Sequence, residues 1–209
     1  EVVGIYISAH PLDDYIRELN NFTSTGLTTL NDLNKLINKD FYVGGIINEV
    51  EHLQSKTGNG FAVFSFEDFN DQYKFRIFGE EYLKFKHLLE ENKILRLRLN
   101  VREGWTNKET GRVGDPRIQF LNIELLDGII NSSSKKITLK VDSKSIKNDD
   151  IQKLKSTFSK YKGSCPVYFD IHDSKNEFKL NMISEDTKVN ISKELLISLE
   201  EEEFLYKLN

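Results

Sequence analysis

The sequence predicts an α+β chain that is mainly β: a five-stranded barrel, preceded by a short helical segment and followed by a small α+β domain. Three observations carry that prediction. Runs in which apolar and polar residues alternate recur between Phe41 and Leu126, the two-residue period of half-buried strands. One stretch among them, EEYLKFKHLLEE, instead brings back Tyr82, Phe85, Leu88 and Leu89 at three- and four-residue steps, the spacing of one buried helix face. The serine- and lysine-rich NSSSKK then separates this region from a second set of strand and helix patterns. The predicted organisation is a helical segment over 1–38, a barrel domain over 39–130, a linker over 131–136 and a C-terminal α+β domain over 137–209.

Residues 1–38 read as helical because Leu19, Leu30, Leu33, Leu36 and Ile37 recur through them, interrupted by the polar NNFTSTGLTTL. Near their start, GIYISAHPLDDY places His10, Asp13 and Asp14 around a proline. Imidazole and carboxylates are common metal ligands, but a site needs three or four, and no second histidine stands at helical or short-loop spacing. Proline pushes the residue before it out of the α region, so a helix through Gly4 to Ser8 should stop at His10. Asp13 or Asp14 is then placed to cap a helix in YIRELNNF. The stretch reads as a junction between elements.

From Phe41 the texture is β: FYVGGIINEVEHL, FAVFSFED and YKFRIF follow one another, bounded by Gly, Asn and Asp turns, as a three-stranded meander. After the helix, KILRLRLNVRE and RIQFLNIELL flank the polar loop GWTNKETGRVGDP. Three strands, a helix and two strands is the plan of the OB fold. Alternation turns Ala62, Phe64 and Phe66 inward with Tyr73, Phe75 and Ile77, leaving Phe61, Val63, Ser65, Lys74 and Arg76 outside. Beyond the linker, KITLKV reads as a strand, DDIQKLKSTFSKYKG as a helix with a glycine stop, CPVYFDIH and NEFKLNM as a strand pair around DSKN, and ISKELLISLEE as a short helix.

Composition narrows the function. The 209 residues are 30% charged and 38% hydrophobic, an ordinary globular balance. No apolar run nears the ~18 residues of a membrane span and no leader resembles a signal peptide, so no membrane partner is expected and the default location is cytoplasmic. The chain starts at Glu1 and holds one Met, from which a piece of a longer protein is expected. Cys165, the single cysteine, reads as a small core or turn residue. The net charge of −4 argues against a uniformly basic nucleic-acid binder and leaves local patches to decide.

One such patch lies on the barrel. An outward Phe61 beside Lys74 and Arg76 would be a stacking platform next to two cations, on the strands that OB folds use to hold single strands. Lys56 lies in the loop between strands one and two, and Trp105, Lys108, Arg112 and Arg117 in the loop between four and five; in OB folds these loops flank the groove. The alternative is an edge phenylalanine under a neighbouring loop, two solvated charges and a tryptophan folded back on the rim. Nine lysines between Lys135 and Lys162 read as a solvated face. His52, His87 and His172 are isolated, and Glu67 and Asp68, as strand neighbours, point to opposite faces. No nucleophile, metal cluster, acid/base pair or phosphate cradle assembles, and no cofactor is expected.

Two motifs together resemble a known family. GIYISAHPLDDY is similar to the G-x-Y-x-S-G-H-P-L-D motif of the bacterial C-family replicative polymerases, the DNA polymerase III alpha subunits, with Ala9 where glycine is usual. KTGNGFAVFSFEDFNDQYKFRIFGEEYLKF resembles their OB segment, with Phe66 in place of the usual leucine, and the final strand–helix–hairpin unit resembles their C-terminal domain. The resemblance implies that the His-Pro-Leu-Asp junction ends the helical region behind the fingers and that the catalytic aspartates lie upstream. This piece would then not itself be an enzyme, although the parent chain would be a DNA-directed DNA polymerase. It further implies that the OB domain meets single-stranded template DNA, that the C-terminal domain docks the clamp-loader tau subunit, and that the rest of the polymerase chain is a partner. The rival reading is an OB-fold protein-interaction module without nucleic-acid binding of its own; an RNA-binding OB protein is a third.

Overall fold

The structure is a computed structural model that describes residues 10–105, 113–173 and 178–209. It is a mixed α+β, mostly β chain with two sheets, dividing into Glu1–Asp127 and Gly128–Asn209.

Between residues 10 and 38 the first unit contains less helix than predicted: one helix, α1 (Ile16–Phe22), and three short 3-10 turns at Asp13–Tyr15, Leu27–Asn31 and Leu33–Leu36. The helix expected through Gly4 to Ser8 lies outside the described residues. Thr23 ends α1 by returning both its N–H and its hydroxyl to the Leu19 carbonyl, at 3.1 and 2.7 Å. The Asn, Ser, Thr and Gly residues that follow compete for backbone hydrogen bonds and favour turns over a helix interior. Leu27 and Leu30, three apart, fit a 3-10 turn as well as an α-helix. Both are buried in the core of the first sheet.

Five antiparallel strands form that sheet: β1 (Asp40–Gln54), β2 (Gly60–Glu67), β3 (Gln72–Phe78), β4 (Ile94–Arg102) and β5 (Arg117–Leu125), in the order β3-β2-β1-β4-β5. The helix α2 (Gly79–Phe85) joins β3 to β4. As the alternation predicts, Ala62, Phe64, Phe66, Phe75 and Ile77 are buried; Tyr73 is half-buried against them. In β1 the register slips between Ile47 and Glu49. That bulge at Asn48 inverts the alternation, so Val43 and Ile47 face the core before it and Val50 packs on the core after it.

A closed five-stranded barrel is not what the ladders show. Among the described residues no hydrogen-bonded ladder joins β3 to β5. The sheet nevertheless curls until Phe120 on β5 lies 5.5 Å from the Phe75 ring on β3 and 6.0 Å from the Phe64 ring on β2. α2 fills the remaining seam. Its Glu81 carboxylate accepts the Phe120 N–H at 3.2 Å, taking a bond that a neighbouring strand would otherwise supply. Burial pushes the Glu81 carboxyl above its ordinary range, opposed in part by that hydrogen bond.

The second unit opens with α3 (Ile129–Ser133), whose Ile129 and Ile130 are buried. Residues 131–136, expected as a linker, are tied to the end of the chain. Asn209 accepts the Lys135 N–H at 2.6 Å through its side chain, donates to Ser133 O at 3.0 Å and gives its own N–H to Lys136 O at 3.1 Å. The four-stranded sheet runs β8-β7-β6-β9, from β6 (Ile137–Asp142), β7 (Lys162–Asp173), β8 (Phe178–Val189) and β9 (Leu205–Leu208). β6 and β7 are parallel, joined through α4 (Asn148–Lys160), while α5 (Lys193–Glu201) precedes β9. Ile137, Leu139, Val167, Leu195, Leu196 and Leu199 are fully buried here. Cys165 is half-buried with its thiol 3.7 Å from Ser134 O, a packing position.

Candidate nucleic-acid interface

The strand registers set the outer face of β1–β2–β3 into four rows, of which Ile46, Glu67 and Gln72 form the one nearest the β2–β3 turn. Leu53 pairs with Phe61 and Phe61 with Phe78; Glu51 with Val63 and Val63 with Arg76; Glu49 with Ser65 and Ser65 with Lys74. Phe61, Lys74 and Arg76 therefore share one face, as alternation indicates. Phe61 is half-buried rather than exposed, because its ring stacks on Phe78 at 5.1 Å and 21°. The open ring is Phe78, 55% exposed. It was missing from the sequence-derived set, although one further step of the alternation through Lys74 and Arg76 reaches it.

Lys74 and Arg76 are exposed on an edge strand, and neither has an ion pair or hydrogen bond to another described side chain. Two strands away, on the same face, stand Glu49 and Glu51, also exposed and without ion pairs among the described residues. The surface is thus divided between acid on β1 and base on β3. Lys56 is exposed in the β1–β2 connection, which is a closed turn: Ser55 N bonds Asn59 O at 2.9 Å, Gly58 N bonds Ser55 O at 2.9 Å, and Gly58 takes the left-handed conformation the turn requires (φ 80°).

Trp105 and Arg117 belong to a second cluster, at the β4–β5 connection. Trp105 is 66% exposed, and its carbonyl accepts the Gly114 N–H at 2.9 Å. Arg117 lies directly opposite Arg102, whose Nε donates to Gln119 at 2.9 Å. Lys108 and Arg112 lie outside the described residues. No hydrogen bond, ion pair or ring contact among the described residues joins this cluster to Lys74, Arg76 or Phe78. The strand arginines are already engaged: Arg96 donates to Glu124 at 2.8 and 3.1 Å and lies over the Tyr42 ring at 4.7 Å, and Arg98 pairs with Asp40 at 2.8 Å. Hydrogen bonds from Asn100 and Arg98 hold the Asp40 carboxyl below its ordinary range.

The His10–Asp14 stretch folds on itself. Asp13 accepts the His10 N–H at 2.7 Å, and His10 Nδ1 accepts the Leu12 N–H at 3.1 Å. The N-cap position of α1 is Tyr15, which makes no side-chain cap, and the helix follows a 3-10 turn over Asp13–Tyr15. His10 lies against the β2–β3 hairpin, 3.7 Å from Glu67 and 4.8 Å from the Phe69 ring. Asp68 accepts the Leu27 N–H at 2.7 Å as well as the Asn70 and Asp71 N–H groups, so the hairpin acidic residues serve as anchors for the N-terminal segment. His52 bonds Tyr82 OH at 3.1 Å and Leu89 O at 3.0 Å, fastening β1 to the helix connection. Among the described residues no group of three or more His, Cys, Asp or Glu could hold a metal ion, and no helix is long and apolar enough to cross a membrane.

In the second unit Lys144 pairs with Asp173 at 2.5 Å, Lys179 with Asp170 at 3.4 Å, and Lys136 lies over the Tyr168 ring at 5.1 Å. The apolar surface is at the β8 edge, where Phe178, Leu180, Met182 and Ile183 are exposed.

In comparison with known proteins, residues 137–209 match the family described as DNA polymerase III alpha subunit, C-terminal domain. The similarity extends well beyond that domain. DNA polymerase III subunit alpha of Borreliella burgdorferi is 29% identical over 195 residues, 88% of this chain and 16% of its own length. The Bacillus subtilis subunit is 23% identical over 96% of this chain and 17% of its own, and that of Pseudomonas aeruginosa 21% over 97% and 16%. The chain is thus similar over most of its length to DNA polymerase III alpha subunits, and its last 73 residues match the C-terminal domain of that family. It spans 16–17% of the length of these relatives.

Proposed function

We propose that the chain is a non-catalytic C-terminal part of a DNA-directed DNA polymerase. Its first unit acts as an OB barrel that holds single-stranded template DNA, and its second docks the clamp-loader tau subunit. The strand order, the helix between the third and fourth strands and the Phe75–Phe120 contact across the seam support the barrel reading, since OB barrels are partly open. The observation that carries DNA binding is the pair of cations, Lys74 and Arg76, unpartnered among the described residues and in register beside the Phe61–Phe78 stack. Such a surface offers phosphate contacts next to a base-stacking ring and reads no sequence.

The test is fluorescence anisotropy with oligo-dT at two salt concentrations, with Lys74→Ala/Arg76→Ala alongside. The intact chain should bind and weaken as salt rises. The double variant should lose affinity and flatten log K against log salt by about 1.4, roughly 0.7 per single-strand phosphate contact. Absence of binding at low salt would reject the groove and favour a protein-interaction barrel.

Docking of tau rests on the family match over 137–209 and on the exposed apolar residues of the β8 edge. Pull-down with tau should capture the whole chain and fail with a truncation ending at Asn131. Full-strength capture of that truncation would move the docking surface to the first unit.

A further inference from the structure

The face that carries Lys74 and Arg76 also carries two carboxylates that a phosphate-binding surface has no evident use for. Glu49 and Glu51 stand in the same register rows as those cations, separated from them by Ser65 and Val63. All four charged side chains are exposed, and none is neutralised by an ion pair among the described residues. Two strand spacings separate β1 from β3, about 10 Å. That exceeds ion-pair distance and is close to the Debye length of about 10 Å at 0.1 M salt.

We propose that Glu49 and Glu51 form an acidic rail that keeps the nucleic-acid backbone off β1 and confines a single strand to a track along β3. The inference rests on the single-strand reading above and adds the path. A phosphate lying over β1 would meet a carboxylate at contact distance. Over β3 it meets Lys74 or Arg76 and feels the rail only across roughly a Debye length. With phosphates on β3, the bases turn inward across Val63 and Ser65. The Leu53–Phe61–Phe78 row carries no charge, and Leu53 and Phe78 are 40% and 55% exposed, so it is the place on the face where a base can stack. The ligand class is a single-stranded polynucleotide held by its backbone along one edge.

Glu49→Gln/Glu51→Gln separates the two ideas, because it removes charge from exposed positions while keeping size and polarity; an unchanged thermal melt certifies the fold. In oligo-dT anisotropy at low salt the variant should bind roughly five-fold more tightly than the parent, with the gain fading as salt shortens the Debye length. Adding Lys74→Ala/Arg76→Ala to it should cost less affinity than the same pair costs in the parent, because the strand can then also lie over β1. If the parent binds and the glutamine variant binds equally or more weakly, the rail is rejected and the groove stands. If the parent does not bind, the groove falls and the rail with it.

Discussion

Phe75→Ala should destabilise the first unit by about 3–5 kcal/mol, a large share of the ~5–15 kcal/mol that holds a typical domain together. Phe75 is 1% exposed and is the ring on which the others converge: Tyr73 at 4.7 Å, Phe64 at 5.3 Å, Phe120 at 5.5 Å and Phe66 at 6.0 Å. Those partners lie on β2, β3 and β5, so truncation removes a buried ring and also the contact that brings the two edges of the sheet together. The surrounding side chains cannot collapse into the void without moving one edge, which places the cost toward the upper part of the range. Phe78→Ala, on the same strand with its ring 55% exposed, is the matched control and should shift stability by no more than about 1 kcal/mol. Urea denaturation followed by far-UV circular dichroism measures both. Equal midpoints for the two variants would mean that the seam is not closed through Phe75.

Why the core was legible and the binding face only half so follows from particular residues. Alternation fixes parity within one unbroken strand, and it assigns Phe64, Phe66, Phe75 and Ile77 to the interior and Lys74 and Arg76 to the surface without tertiary information. It fails where the strand carries an extra residue. FYVGGIINEVEHL reads as continuous, yet the bulge at Asn48 turns Glu49 and Glu51 onto the face that holds the cations. Nothing in a two-residue period marks one inserted position, so the surface looked basic from sequence and is divided in the structure. Phe61 was legible as outward-facing but not as half-covered, since its cover is a cross-strand neighbour at the end of β3. The N-terminal leucines were ambiguous because three-residue spacing suits a 3-10 turn and an α-helix alike. That β3 and β5 meet through side chains and Glu81 instead of a ladder depends on where α2 lies, which no local pattern states. The His10–Asp14 stretch was legible as a junction because of Pro11, although the role of Asp13 was not: its carboxylate turns back to His10 N–H instead of forward to α1.

The second large effect concerns the adjacent glycines within β1. Gly45 pairs with Leu95 on β4, and a Cβ placed on it would lie 2.2 Å from Glu67 O and 3.0 Å from the Phe66 ring. The obstruction is the backbone of β2, which has no rotamer to change. Gly44 differs: a Cβ there meets Leu19 Cδ2 at 2.4 Å, the end of a flexible side chain. Gly45→Ala must therefore lift the end of β2 from β1, breaking the Ile46–Glu67 pair and displacing buried Phe66. Because Glu67 also accepts the Asn48 side chain and lies 3.7 Å from His10, the shift reaches the N-terminal junction as well. The expected cost is about 3 kcal/mol, the upper end of ordinary overpacking. Gly114→Ala is the control, since its nearest neighbours lie at 3.4 and 3.7 Å, ordinary contact distances, and it should change stability by no more than about 0.5 kcal/mol. Thermal denaturation of the two variants decides the matter: a Gly45→Ala midpoint indistinguishable from that of Gly114→Ala would mean that β2 does not close over β1 at this position.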